Sequence, residues 1–167
     1  MPKALRIITA LVAALGLLGL AAASVQATSG AHFMPDTNAS VTDSGALSIF
    51  IDEAGVGQQT VNYTIVWSGT ADYGCINGGG NHPQATNKET TSSGGTTTAS
   101  LSPINGRVMA TVTVPGTPPP APSSFSCPSG QTLVLADVSY TTTVTDTTNG
   151  NVSISLAASR VFFTFKK

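Results

Sequence analysis

Charged residues are scarce in this chain of 167 residues, of which they form 9%, and no helical period of apolar residues follows the first 27 positions. Residues 28–167 carry five basic and eight acidic side chains, a formal charge of −3. A surface with so few cations releases few counterions from a phosphate backbone, which argues against nucleic acid as a partner. The same shortage disfavours binding to anionic membrane surfaces.

Groups that carry catalysis or bind metals are also few. The chain has two histidines, His32 and His82, and no serine in a Gly-x-Ser-x-Gly sequence. The adjacent acids Asp52 and Glu53 should point to opposite sides of a strand, which makes them a poor pair for glycoside chemistry. The glycines at 78–80 lack the Lys-Ser/Thr that follows in phosphate-binding loops. We therefore expect no catalytic residues, no metal site and no cofactor.

A targeting segment is the clearest feature that is present. Lys3 and Arg6 precede an apolar run over residues 7–23, and small side chains lead up to Ala27. This pattern predicts a secretory signal peptide over residues 1–27, cleaved after Ala27; an uncleaved N-terminal anchor is the alternative. The expected location is extracellular, with no membrane association after cleavage.

The two cysteines, Cys75 and Cys127, favour one disulfide bond in a secreted chain. A free thiol or a metal pair is the alternative, but no neighbouring His-Cys spacing supports it. The chain-entropy model gives a bond that closes a loop of this length about 4 kcal/mol of stability.

Alternation of apolar and polar residues with period two predicts strands with one buried face. These strands are expected at 47–52, 61–68, 108–114, 132–145, 152–156 and 161–165, with shorter ones at 71–76 and 96–101. The pattern predicts an all-β antiparallel β-sandwich over residues 45–167, immunoglobulin-like in outline, with about seven strands. Residues 28–44 are expected to form a partly disordered N-terminal segment.

The last two long strands require special turns. A two-residue turn at Asn149 and Gly150 would place Val144 opposite Ser155, so we expect a longer loop or a bulge there. A shift of apolar parity predicts a second bulge near residues 157–159.

Two further segments are expected to be loops. Residues 115–122 should form a stiff, extended proline-rich connector. Residues 77–95 are rich in Gly, Asn, Thr and Ser and should form a polar loop that the disulfide ties to the domain. Polar loops on a rigid β-scaffold are common binding sites. The candidate ligand-binding residues are Asn77, Asn81, His82, Asn87 and Lys88.

The sequences around the cysteines are similar to those of a family of small secreted bacterial proteins. The motifs are Cys75-Ile-Asn-Gly-Gly-Gly-Asn-His-Pro and Cys127-Pro-Ser-Gly-Gln-Thr-Leu. That family has no activity to carry across, so the resemblance implies export and a single domain only.

The favoured hypothesis is a secreted, non-enzymatic extracellular or cell-envelope module that binds a surface or a small ligand through its loops. Its partner would be an extracellular or cell-wall ligand. A structural protein that self-associates within the envelope is the alternative, since Thr-rich sheets can pair edge to edge. A secreted hydrolase or hydrolase inhibitor, with His82 as its only anchor, is the third hypothesis.

Overall fold

The computed structural model of the protein describes residues 30–77, 87–114 and 116–165. The expected signal peptide and its cleavage position lie outside these ranges. The strands are β1 (His32–Phe33), β2 (Asn38–Val41), β3 (Leu47–Ala54), β4 (Val61–Asn77), β5 (Lys88–Leu101), β6 (Arg107–Thr113), β7 (Gln131–Asp146) and β8 (Val152–Val161). Within the described ranges there is no helix with the length and apolarity of a membrane span.

The strands form two antiparallel sheets. In the first sheet β3 is central, with β1 and β2 along one side and β6 along the other. The second sheet has the order β5-β4-β7-β8. The predicted antiparallel sandwich is therefore confirmed, with eight strands in place of about seven.

Alternating residues of both sheets build the core, as period-two strands with one covered face require. Ile49 and Ile51 of β3 are fully buried, and so are Ile65 of β4 and Val138 and Val144 of β7. Burial of side chains of this size stabilises a fold by about 1.5–3 kcal/mol each.

The N-terminal segment joins the first sheet. Residues 30–44 contain β1 and β2, both paired with β3. The buried Thr37 hydroxyl donates to the carbonyl of Asp52 over 2.7 Å and accepts from its N–H over 3.1 Å. The segment that we expected to be partly disordered therefore supplies hydrogen bonds to β3.

The prediction that residues 77–95 form a loop is wrong for residues 88–95, which belong to β5. The short strands predicted at 71–76 and 96–101 are parts of β4 and β5. Pairing with β4 overrides the low strand propensity of Gly94 and Gly95, which lie opposite Ser68 and Trp67. A side chain at Gly95 would approach the Trp67 ring to 3.3 Å, so the glycine leaves room for that indole.

The β7–β8 hairpin confirms the predicted longer loop. Asp146 pairs with Val152, which leaves residues 147–151 in the loop, and Val144 lies opposite Ile154. The register then continues without a shift to Val161, so the predicted bulge at 157–159 is wrong.

The bulge lies instead in β7. Its pairing with β4 shifts between Asp72 and Tyr73 and skips Ala136. The Ala136 carbonyl accepts the N–H groups of Phe162 and Phe163, over 2.8 and 3.0 Å. These bonds turn the chain out of the sheet after Val161, so residues 162–165 are not the strand that we predicted.

Candidate functional site

The predicted disulfide is confirmed and anchors one end of the second sheet. Cys75, near the end of β4, is bonded to Cys127, and their Cα atoms lie 5.5 Å apart. The described part of the proline-rich connector, residues 116–122, contains no regular strand and leads towards Cys127. It is held to β4 by the Tyr73 hydroxyl, which donates to the carbonyl of Pro119 over 2.8 Å.

Of the five candidate ligand-binding residues, Asn81 and His82 lie outside the described residues. Asn77 ends β4 opposite Gln131, and the Asn77 Oδ1 and Gln131 Oε1 atoms are buried and accept no hydrogen bond from the described residues. The Asn87 carbonyl accepts from the Cys75 N–H over 3.3 Å. Lys88 turns to the outer side of the sheet, where its Nζ lies 4.3 Å from the Phe165 ring centroid.

Lys88 lines a shallow pocket of about 260 Å³ together with two acids, Asp72 and Asp137, and the ring of Phe165. The acids lie directly opposite each other on β4 and β7. Burial raises the pKa of Asp137, and the charge of Asp72 and a hydrogen bond between the two carboxyls raise it further. The Thr90 hydroxyl donates to Asp72 Oδ1 over 2.5 Å.

A carboxyl that keeps its proton donates a hydrogen bond as well as accepting one, so the raised pKa of Asp137 gives the acid pair of Asp72 and Asp137 a possible donor. Sequence reasoning missed this pair because the two acids are far apart along the chain, and only the β4–β7 register brings them together.

Buried acids elsewhere serve the fold. The neighbours Asp52 and Glu53 are both buried and have different partners. Asp52 accepts from Arg107 Nε and Nη2 over 2.6 and 2.5 Å. Glu53 accepts from the Tyr63 hydroxyl over 2.7 Å and lies beside Asp146. Burial, followed by the nearby charge of Asp146, raises the pKa of Glu53 to about 7. No set of three or more His, Cys, Asp or Glu side chains in the described ranges is arranged to hold a metal ion.

The outer side of the second sheet is a wide polar surface. Alternate residues of its four strands point away from the core and lie opposite one another in register, forming a four-by-four grid that we call the hydroxyl face. Its rows are Thr98–Thr64–Thr145–Ser153, Thr96–Val66–Thr143–Ser155, Gly94–Ser68–Thr141–Ala157 and Ser92–Thr70–Ser139–Ser159. Thirteen of these sixteen residues are Ser or Thr, and none is charged.

Hydroxyl pairs across strands order this face. Thr145 and Ser153 are 2.9 Å apart at their oxygens, and Thr70 and Ser92 are 3.1 Å apart. From the spacing of strands and of alternate residues, the grid measures roughly 15 by 20 Å. Two adjoining depressions, of about 360 and 450 Å³, run over β4, β7 and β8 and share Ser68, Thr141 and Ala157. Because the Ala157 side chain is small, the surface is recessed at this position and the two depressions join there.

The acid pair borders the hydroxyl face. Asp72 follows Thr70 by two residues on β4, and Asp137 precedes Ser139 by two on β7, so the acids form the next row of the same surface. The grid itself could have been found from the Thr-rich strands, but its rows depend on registers that the sequence leaves open.

No family model, curated protein or solved structure matches this chain. The family resemblance of the two cysteine motifs therefore stays a prediction.

Proposed function

We propose that this protein is an exported, non-enzymatic module that binds a neutral polysaccharide of the cell surface or surroundings on its hydroxyl face. The observation that carries this proposal is the uncharged grid of Ser and Thr side chains across four strands. A disulfide that ties the connector to β4 suits an oxidising compartment, which supports export.

The charge of the face selects the class of ligand. An anionic polymer needs Lys or Arg for affinity, and the grid has neither. A cationic polymer needs carboxylates, which the grid lacks; the nearest row with acids is the bordering one with Asp72 and Asp137. Serine and threonine hydroxyls donate and accept hydrogen bonds, so they match the hydroxyls of a neutral sugar chain.

Apolar side chains within the grid match the apolar C–H surfaces of sugar rings. Val66 is 50% exposed in the second row, and Ala157 lines both joined depressions, which together we call the groove. Sugar rings present C–H surfaces as well as hydroxyls. Burial of these C–H surfaces against the Val66 side chain removes apolar area from water and so favours binding. An elongated ligand would lie along the two joined depressions on β4, β7 and β8.

This site differs from the loop that the sequence favoured. The hydroxyl face is built on paired strands, and rigid elements hold polar groups in a binding geometry more accurately than loops do. Lys88 and the acid pair lie at the end of this face, where they could contact a polymer that extends past the grid.

A binding assay with one blocking substitution tests the proposal. The protein is mixed with neutral glucans, mannans and galactans, and with an anionic polysaccharide such as alginate, and the bound fraction is measured. We expect at least one neutral polymer to bind with little dependence on salt, because uncharged hydrogen bonding is not screened. Thr141→Arg, in the middle of the groove, should weaken that binding about ten-fold or more, which corresponds to about 1.4 kcal/mol.

Thr111→Arg is the matched control, because Thr111 is an exposed strand residue of β6 on the other sheet. It should bind as the unchanged protein does, and both variants should unfold at the same temperature. Failure of every neutral polymer to bind, or equal binding by Thr141→Arg, would refute the proposal.

A further inference from the structure

The strand β5 is a long edge strand with one partner. All its residues from Lys88 to Leu101 pair with β4, from Gly74 to Val61, in one unbroken register. Among the described residues, no backbone hydrogen bond joins β5 to any other strand. Its second row of N–H and C=O groups is therefore available to another strand.

The usual protection against pairing is missing from β5. Natural edge strands are blunted by charges, proline, bulges or short length. From Thr90 to Leu101 this strand has no charge, no proline and no shift of register. Its side chains are mostly Thr, Ser and Gly, which let another backbone approach closely.

The other edges of the two sheets differ. At the β8 edge, Arg160 reaches the carbonyl of Val41 over 3.2 Å and Asp43 over 2.6 Å. These contacts tie β8 to the β2 side of the first sheet. The β6 edge is half as long as β5 and begins with Arg107. Of the edges at β5, β6 and β8, the one at β5 is therefore the longest that is free of such interruptions.

We propose that β5 pairs with β5 of a second copy of this chain, antiparallel and about a two-fold axis, to join the two four-stranded sheets into one. With a two-fold axis perpendicular to the sheet, the residue at the centre of the interface lies opposite the same residue of the second copy. A register centred on Gly94 gives almost complete overlap of the two strands. It places Ser92 opposite Thr96 of the second copy.

The charged residues of β5 favour antiparallel over parallel pairing of the two copies. The charged residues of β5 are Lys88 and Glu89, both at its first end. Antiparallel pairing about Gly94 sends the two lysines to opposite ends of the interface. Parallel pairing would set each lysine beside its own copy, and like charges directly opposite destabilise a strand pair.

The symmetry has two consequences. The same surface is used by both copies, so the contact closes at a dimer and does not propagate into a fibre. The axis also keeps both hydroxyl faces on one side, so that they form a single eight-stranded surface. The dimer does not depend on polysaccharide binding, because it rests on the strand edge alone.

Sedimentation equilibrium from micromolar to millimolar protein tests the dimer. We expect the mass to rise from one chain to two and then to stop rising. The double variant Ser92→Lys/Thr96→Lys places two pairs of lysines opposite each other and should weaken the dimer about ten-fold or more. Both positions are exposed, so the monomer should keep its circular dichroism and its unfolding temperature.

Two controls separate edge pairing from general charge effects. Ser155→Lys/Ser159→Lys places the same charges on β8 and should leave the dimer unchanged. Mixing the lysine variant of β5 with Ser92→Glu/Thr96→Glu should restore a dimer that contains one copy of each. A chain that stays monomeric throughout, a mass that grows past two, or a β5 lysine variant that dimerises normally would overturn the proposal.

Discussion

Two neighbouring buried acids, Asp52 and Glu53, have opposite electrostatic surroundings although both are fully buried. Hydrogen bonds from Arg107 lower the pKa of Asp52, despite its burial. Among the described residues no Lys or Arg forms an ion pair with Glu53. Burial raises its pKa most, the Tyr63 hydrogen bond lowers it, the charge of Asp146 raises it, and that of His32 lowers it. The two acids should therefore give the stability of the fold opposite dependences on pH.

We expect Glu53 to destabilise the fold as the pH rises from about 4.5 to about 7. Its pKa in the folded protein, about 7, is above the ordinary value of 4.5, so the folded protein holds a proton that the unfolded chain has released. The penalty is complete above that window and is on the order of 3 kcal/mol. Urea unfolding of Glu53→Gln should show little loss across this range, with higher stability than the unchanged protein at pH 8. Equal slopes for both proteins would contradict this assignment.

Arg107 is expected to matter more than a similar arginine elsewhere. Arg107→Ala leaves the fully buried Asp52 carboxylate without its cation and should lower the stability of the fold clearly more than the loss of a surface ion pair does. Arg160 is equally exposed, at 40%, but its partner Asp43 is 95% exposed. Arg160→Ala should therefore cost only about 1 kcal/mol or less. Denaturant unfolding of both variants at neutral pH measures the difference, and equal losses would show that the Asp52 pair is not special.

Among the structural elements, the disulfide ties the connector to β4 covalently. Removing it with Cys75→Ala/Cys127→Ala should cost about 4 kcal/mol, because the unfolded chain regains the freedom of a long loop. Urea unfolding of this variant measures the loss, and adding reductant to the unchanged protein provides an independent check. A loss below about 1 kcal/mol would mean that the connector is held mainly by other contacts, such as Tyr73 with Pro119.

Much of the strand arrangement could be predicted because apolar residues alternate along β3, β4 and β7. The strand β5 was partly missed because Thr, Ser and Gly on both of its sides give no alternation. The bulge at Ala136 was misplaced because it depends on two N–H groups that arrive from beyond β8. Such features come from tertiary partners, which local sequence patterns do not contain.

The candidate site was harder to predict than the fold. The cysteine pair followed from the number of cysteines and the expected export, whereas the acid pair and the hydroxyl face depend on the registers of β5, β4, β7 and β8. A single shift by one residue would exchange the outer side of a strand with its inner side. The same residues would then form a different surface.

At the scale of the whole molecule, the two sheets differ in what packs against them and in the surface that they expose. In the first sheet, β3 packs against the core and pairs with the strands of the N-terminal segment. The second sheet exposes the uncharged hydroxyl face to solvent. A folded scaffold of this kind can display a repeating array for a repeating polymer. Dimerisation through β5 would extend that array without adding a new type of contact.

Amide chemical shifts recorded during titration with a bound neutral polysaccharide test the central claim most directly. We predict that the perturbed amides cluster on the groove strands, over residues 66–70, 139–143 and 155–159, while β6 stays unchanged. Perturbations confined to the first sheet or to the loops, or none at any polymer concentration, would contradict binding on the hydroxyl face.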